Sequence, residues 1–266
     1  MYGSRDEYRM TWLSGASDED ASKKLELMGV EYDNLTVAEA LNAIFNLISA
    51  KDKSDVFFLN ADCLYKAQKD EEYRSVLARA DLLLPDGIGI RLTTKLFGHE
   101  MRENCNGTDL SPRILEKASN IGLSVFFLGG RDGIALKAAK LATKQFPELE
   151  VAGVSSGFFE SDQEVIKAIN IAAPDIVFVA MGVPLQEKWI SRNRSLINAR
   201  LCLGVGAFLD YLSGTLPRAP LWMRRAHLEW FWRIFVDPKR MFKRYIIDGF
   251  LFVTYAVKFK IGTWGR

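Results

Sequence analysis

The stretch SVFFLGGRDGIALKAAKLATKQF, residues 124–146, carries the reading of the fold. A short apolar run, 124–128, meets a turn made of Gly129, Gly130 and Gly133, and an amphipathic segment follows over 134–146. An apolar run bounded by glycines reads as a strand buried on both faces, and the longer segment reads as a helix covering it. The same unit recurs outward in both directions. The spacing predicts strands at 27–30, 56–60, 82–84, 124–128, 150–154, 176–180 and 201–205. It predicts helices at 37–50, 61–78, 88–96, 110–121, 134–146, 163–172 and 184–198. Strands alternating with helices predict an α/β, Rossmann-like fold: a mostly parallel sheet with helices on both faces.

The flanks differ from this body. The first 26 residues are polar and irregular, and read as a mobile extension before an α/β domain over 27–216. From residue 217 to 266 no strand candidate remains. That segment reads as two or three helices, with four of the six tryptophans (Trp222, Trp230, Trp232 and Trp264) among arginines and lysines. Charge follows the same division. The chain of 266 residues has 35 basic and 33 acidic side chains, a net +2. Beyond Pro217 there are 11 basic and 3 acidic residues, so +8; the rest holds 24 and 30, so −6. A mildly acidic body disfavours nucleic acid as a partner. A basic, Trp-rich amphipathic segment reads as a binder of anionic membrane surface.

Composition narrows the classes further. At 48% hydrophobic and 26% charged residues, the chain can bury a full core. Cys63, Cys105 and Cys202 have no CxxC spacing and suggest a reducing compartment without a disulfide framework. His99 and His227 stand far apart, which argues against a histidine-based metal site or triad. The N-terminus has no basic-then-apolar leader pattern, and no run of 18 apolar residues suggests a membrane span. There is no GxGxxG or Walker motif, which disfavours dinucleotide and ATP chemistry. The one D-x-D, Asp18-Glu19-Asp20, reads as solvated charge, and no metal is expected.

In an open parallel sheet the site lies beyond the carboxyl ends of the strands. There the sequence places Asn60 and Asp62, Pro85-Asp86-Gly87, Gly129-Gly130-Arg131, the run from Met181 through Gln186 to Glu187, and Gly204-Val205-Gly206. Glycine turns at such an edge bring backbone close to a ligand, and several together suggest a phosphate-bearing one. Asp86 has two readings: a base that takes a proton from an attacking hydroxyl, or the N-cap of the helix near Ile88. Thr108 and Asp109 read as caps of the next helix. Glu187 suits a helix first turn, and Gln186 beside it is the better ligand candidate. Arg218, Arg225 and Arg233 would fall near one face if one helix ran through them.

These motifs occur in a recognisable order: Asn60, PDGIGI (85–90), GTDL (107–110), FLGG (127–130), MGVPLQE (181–187), GVG (204–206) and RAP with LEW (218–230). In that order they resemble the WecG/TagA/CpsF glycosyltransferases, glycosyltransferase family 26, over residues 29–245. The resemblance implies an inverting, metal-independent transferase. Such an enzyme moves a sugar from a UDP-sugar to a saccharide on a polyprenyl diphosphate, as a peripheral protein on the cytoplasmic face of the membrane. It implies Asp86 as the base and Asn60, Gly107, Asp109, Gly129, Gly130, Gln186 and Gly206 near the donor. Arg218, Arg225 and Arg233 are implied near the leaving diphosphate. Where many members have an arginine before the glycine matching Gly107, this chain has Asn104-Cys105-Asn106, with Arg102 as the nearest substitute. Where some have a threonine it has Phe58. The altered segment also admits a non-catalytic sugar-nucleotide-binding protein that docks on the membrane.

Overall fold

The computed structural model describes residues 24–50, 52–226, 228–238, 241 and 248–264. Residues 1–23 of the expected extension lie outside them, as do Asp18-Glu19-Asp20.

The described chain begins with an antiparallel hairpin, β1 (Lys24–Leu27) and β2 (Val30–Asp33), with Leu27 opposite Val30. The apolar run 27–30, expected as one strand, is therefore the hairpin's corner. Met28 and Gly29 both take positive φ, 52° and 77°, which turns the chain in two residues. Leu25, Leu27, Val30 and Tyr32 face inward. Asp33 Oδ2 accepts from Leu83 N at 2.8 Å, so the hairpin covers an edge of the main sheet.

That sheet has six strands: β3 (Ser54–Leu59), β4 (Leu82–Pro85), β5 (Ser124–Gly129), β6 (Glu150–Ser155), β7 (Ile176–Ala180) and β8 (Leu201–Gly204). Their spatial order is β4-β3-β8-β7-β5-β6, and every neighbouring pair is parallel. Strand period two divides the core. Phe57, Leu59, Phe126, Leu128, Val177, Val179 and Cys202 face one way, while Val56, Phe58, Val125, Phe127, Ile176, Phe178 and Leu203 face the other.

Helices bury both faces. In chain order they are α1 (Val37–Ser49), α2 (Ala61–Ala67), α3 (Glu71–Ala78), α4 (Ile88–Leu96), α5 (Gly107–Asn120), α6 (Ile134–Gln145), α7 (Asp162–Ala172), α8 (Leu185–Asn193), α9 (Phe208–Leu212), α10 (Leu221–Arg225), α11 (Glu229–Val236) and α12 (Asp248–Trp264). On the first face Leu64 (α2), Tyr73 (α3), Ile166 (α7) and Trp189 (α8) seal the sheet. On the second, Ile44 (α1), Ile114 (α5), Ala138 (α6) and Phe208 (α9) do so.

Three helix boundaries depart from the sequence reading, two of them because a polar side chain caps a helix. The segment expected as one helix over 61–78 is two, since Asp70 Oδ1 accepts from Tyr73 N at 2.9 Å and starts α3. α5 begins at Gly107 because Asn106, not Thr108 or Asp109, is its N-cap. α8 ends at Asn193, whose amide turns back to Asp162 and to Trp189 O.

The described part of the C-terminal segment contains α10, α11 and α12, and α12 does not stand apart from the body. Its Phe252 and Ala256 are buried in the first-face core, and the ring of Phe259 lies 6.2 Å from that of Phe97. Lys260 Nζ donates to the Leu96 carbonyl. Among the described residues no helix is long and apolar enough to cross a membrane.

Candidate active site

Six parallel strands deliver six loops to one edge. β5 hands the chain outward to β6, and β7 hands it the other way to β8, so the loops part above the β5–β7 pair. Gly129, at φ 143°, lets the two strand ends meet: a Cβ there would lie 2.3 Å from Ala180 O. Gly130 N donates to Ala180 O at 3.1 Å, and Gly157 N to Gly130 O at 2.9 Å.

Leu59 and Pro85 are in register on β3 and β4, so Asn60 and Asp86 leave the sheet side by side. The backbone N of Asp86 donates to Leu59 O at 2.8 Å, which fixes the residue against the neighbouring strand end. The cap position of α4 belongs to Gly87, at φ 90°, without a side-chain cap bond. The capping alternative for Asp86 therefore falls, and the half-buried residue stands at the mouth of the β3–β4 pair. Asn60 does cap: its Oδ1 accepts from Cys63 N at 3.0 Å and starts α2. α4 and α2 approach so closely here that a Cβ on Gly89 would sit 2.7 Å from Ala61 Cβ.

The Asn104–Asn106 segment braces this corner. Asn104 Oδ1 accepts from Gly87 N at 2.7 Å, and Cys105 N donates to Pro85 O at 3.0 Å. Sequence reasoning treated Asn104 only as a departure; its structural task depends on a contact across 17 residues. Arg102 does not stand in for an arginine at this position, because its guanidinium pairs with Glu39 at 2.6 Å. Gly107 is required by a close approach: a Cβ would lie 3.0 Å from the Phe58 ring.

Behind β7 and β8, Gln186 and Glu187 are buried, at 2% and 1% exposure. Gln186 Oε1 accepts from both Gly182 N (3.1 Å) and Gly206 N (3.0 Å), and its Nε2 donates to Glu187 Oε1 at 2.7 Å. Burial pushes the Glu187 carboxyl up to about 7, against the hydrogen bond from Gln186 and the more distant charge of Lys66. The N–H groups of Gly87, Gly130, Gly182 and Gly206 are thus all engaged within the protein. These glycines shape the edge by conformation and close approach.

The C-terminal segment brings cationic side chains to α5. Arg218 Nη2 contacts Asp109 Oδ1 at 2.8 Å and Glu229 Oε2 at 3.3 Å. Arg233 lies 3.7 Å from Glu229, and both guanidinium groups sit over the Tyr211 ring, at 5.4 and 5.3 Å. Burial opposes ionisation of Asp109, but the charge of Arg218 and the Asn106 hydrogen bond outweigh it and hold its carboxyl below the usual range. Arg218 and Arg233 are thus brought together, with Tyr211 and Glu229 as partners that the sequence did not single out. Arg225 lies on α10, and its side chain falls outside the described residues, as do Lys239, Arg240, Lys243 and Arg244. Among the described residues no three His, Cys, Asp or Glu side chains converge as a metal site.

A family model described as "Glycosyl transferase WecG/TagA/CpsF family" matches residues 25–266. A relative from Bacillus spizizenii, named N-acetylglucosaminyldiphosphoundecaprenol N-acetyl-beta-D-mannosaminyltransferase, is 36% identical over 181 residues, 68% of this chain and 70% of its own. A protein of the same name from Bacillus subtilis is 34% identical, over 68% of this chain and 71% of its own. Another of that name, from Staphylococcus aureus, is 25% identical over 90% of this chain and 94% of its own.

Proposed function

The chain belongs to the WecG/TagA/CpsF glycosyltransferase family, and from that premise we propose that it transfers an N-acetylhexosamine from a UDP-sugar to a saccharide on a polyprenyl diphosphate. The relatives' shared name supports N-acetylmannosamine as the sugar and an N-acetylglucosaminyl diphospholipid as the acceptor. The observation that carries the chemistry is the placement of Asp86. It sits at the carboxyl edge, held by Leu59 O, and Gly87 rather than Asp86 is the helix cap.

In this reading the Asp86 carboxylate accepts the proton of the acceptor hydroxyl as that oxygen attacks the anomeric carbon. The carbon–oxygen bond to UDP breaks on the opposite side, so configuration inverts and UDP leaves with the electron pair. The guanidinium groups of Arg218 and Arg233 lie on the segment that borders α5, and they supply the positive charge that the leaving diphosphate needs. The reaction then requires no metal.

The reading also makes the protein peripheral, on the cytoplasmic face of the membrane. α10 and α11 expose Trp222 and Phe235, at 65% and 67%, and α12 exposes Phe250, Val253 and Ile261. Exposed aromatics on a basic segment are the composition of an interfacial surface.

The test is a donor panel of UDP-linked hexoses and N-acetylhexosamines with a short-chain lipid-diphosphate N-acetylglucosamine acceptor, read by mass in excess EDTA. The expected product gains one N-acetylhexosamine by mass, and its NMR spectrum shows the β linkage that inversion requires. Binding of UDP without transfer from any donor would favour the non-catalytic alternative, and transfer abolished by EDTA would overturn metal independence.

A further inference from the structure

We propose that Glu187 is a positioning residue for donor binding, acting through the Gln186 amide to fix the glycine turns that follow β7 and β8. The donor half of this inference rests on the transferase reading.

The geometry starts from an ambiguity. A glutamine amide has an oxygen and a nitrogen of nearly the same shape, and only the oxygen can accept. Here that oxygen receives two backbone N–H groups, one from each turn, at 3.1 and 3.0 Å. Flipped, the amide would press its NH2 group against two donors, and both glycine N–H groups would lose their acceptor. Ionised, Glu187 removes the ambiguity, since a carboxylate can only accept, here from Nε2 to Oε1 at 2.7 Å. The pair is tied in from a third side by Gln186 N, which donates to Gly182 O at 3.0 Å.

The arrangement is costly for a purely structural element. Glu187 is a carboxyl at 1% exposure, and among the described residues its buried Oε2 has no hydrogen-bond partner. An apolar side chain in that space would avoid the desolvation cost. Room has also been made for the pair: a Cβ on Gly204 would lie 3.1 Å from Gln186 Nε2 and 3.4 Å from Glu187 Oε1. What the carboxyl supplies is orientation of the amide. The amide in turn sets the separation of the Gly182 and Gly206 turns, at the edge where the donor is proposed to bind.

An exchange of the two residues tests this. Gln186→Glu alone sets two carboxyl groups against each other. The doubly exchanged chain, Gln186→Glu with Glu187→Gln, keeps an acceptor for both turns and restores one donor and one acceptor between the side chains, so the repulsion that displaces the acceptor in the single variant is gone. At pH 8, Gln186→Glu is expected to raise the donor KM ~10-fold while kcat stays within ~3-fold, and to lose a similar factor of amide hydrogen-exchange protection at Gly182 and Gly206, as a misdirected buried hydrogen bond would. The double exchange is expected to bring both readouts back to within ~3-fold of the starting protein. A double exchange no better than the single, or a fall in kcat with donor KM unchanged, would overturn the proposal. If Gln186→Glu does not fold, recovery of fold and donor KM in the double exchange still supports the pair, and its failure sinks it. If the unaltered protein turns over no donor, the transferase reading falls with the donor half, and the amide protection alone decides the clamp.

Discussion

The carboxyl edge of the sheet and the segment beyond Pro217 handle polar and apolar groups in opposite ways. At the sheet edge the polar groups look inward. Asn60 caps α2, Asn104 braces Gly87, and Gln186 ties two turns together. In the C-terminal segment the guanidinium groups of Arg218 and Arg233 gather around Tyr211 and Glu229, while aromatic side chains of α10 and α11 face outward. The first region is a fixed frame that can hold a single base to a small tolerance. On the proposed reading the second supplies charge and an adhesive surface, neither of which needs the same accuracy. A reaction between a soluble donor and a lipid-borne acceptor requires both.

The sharpest way to break that contrast is at the frame. Asp86→Asn keeps the size of the side chain and the backbone bond to Leu59 O, and it removes the proton acceptor. Transfer is expected to fall ~10²-fold or more, the usual worth of a general base, with the fold retained. Near-normal turnover would take the chemistry away from the β3–β4 corner. A smaller effect should appear at the adhesive surface. Replacing Trp222 and Phe235 by Ser is expected to weaken binding to vesicles containing anionic lipid ~10-fold, since two aromatics only partly buried at an interface contribute together a fraction of the about 1.5–3 kcal/mol that each is worth when fully buried. Turnover of a short-chain, water-soluble acceptor should survive. Removing the whole segment is the poorer experiment, because α12 seats Phe252 and Ala256 in the core of the body.

Much of the frame was legible because it follows from local rules. Buried strands show as apolar runs, and six of the seven expected ones lie in the sheet. The seventh failed at Met28-Gly29, where a run of apolar residues hides a two-residue corner; the glycine was the available signal. Asp70 and Asn106 were likewise available as helix starts, yet Asp70 lay inside an apolar period and Asn106 behind a motif that drew attention to Asp109. The side-chain contacts at the site were not legible. Gln186 stood out as a polar residue without an excuse in a first turn, but its partners Gly182 and Gly206 come together only when β7 and β8 pair. Glu187 looked like ordinary dipole compensation, and nothing local says that it is buried. The pairing of Asp109 with Arg218 spans 109 residues and depends on how the C-terminal segment returns to α5.

That last pairing joins the two regions, and it carries the smallest expected effect. The Asp109 carboxyl is half-exposed and bonded to Arg218 at 2.8 Å, so its worth is that of a partly solvated ion pair, about 0.5–1 kcal/mol. Because its titration is held below the usual carboxylate range, the contribution is complete above the ordinary Asp range and is lost as pH falls through the lowered value. Asp109→Asn should therefore lower the melting temperature slightly near neutrality and make no difference in strong acid. Its effect on transfer separates two pictures of the segment. If Asp109 only anchors Arg218, the variant loses a few-fold in kcat/KM, and Arg218→Ala loses far more, because the cation itself is gone. Equal losses in the two variants would mean that the ion pair, rather than the charge on Arg218, is what the site uses, and the division between fixed frame and cationic segment would no longer hold.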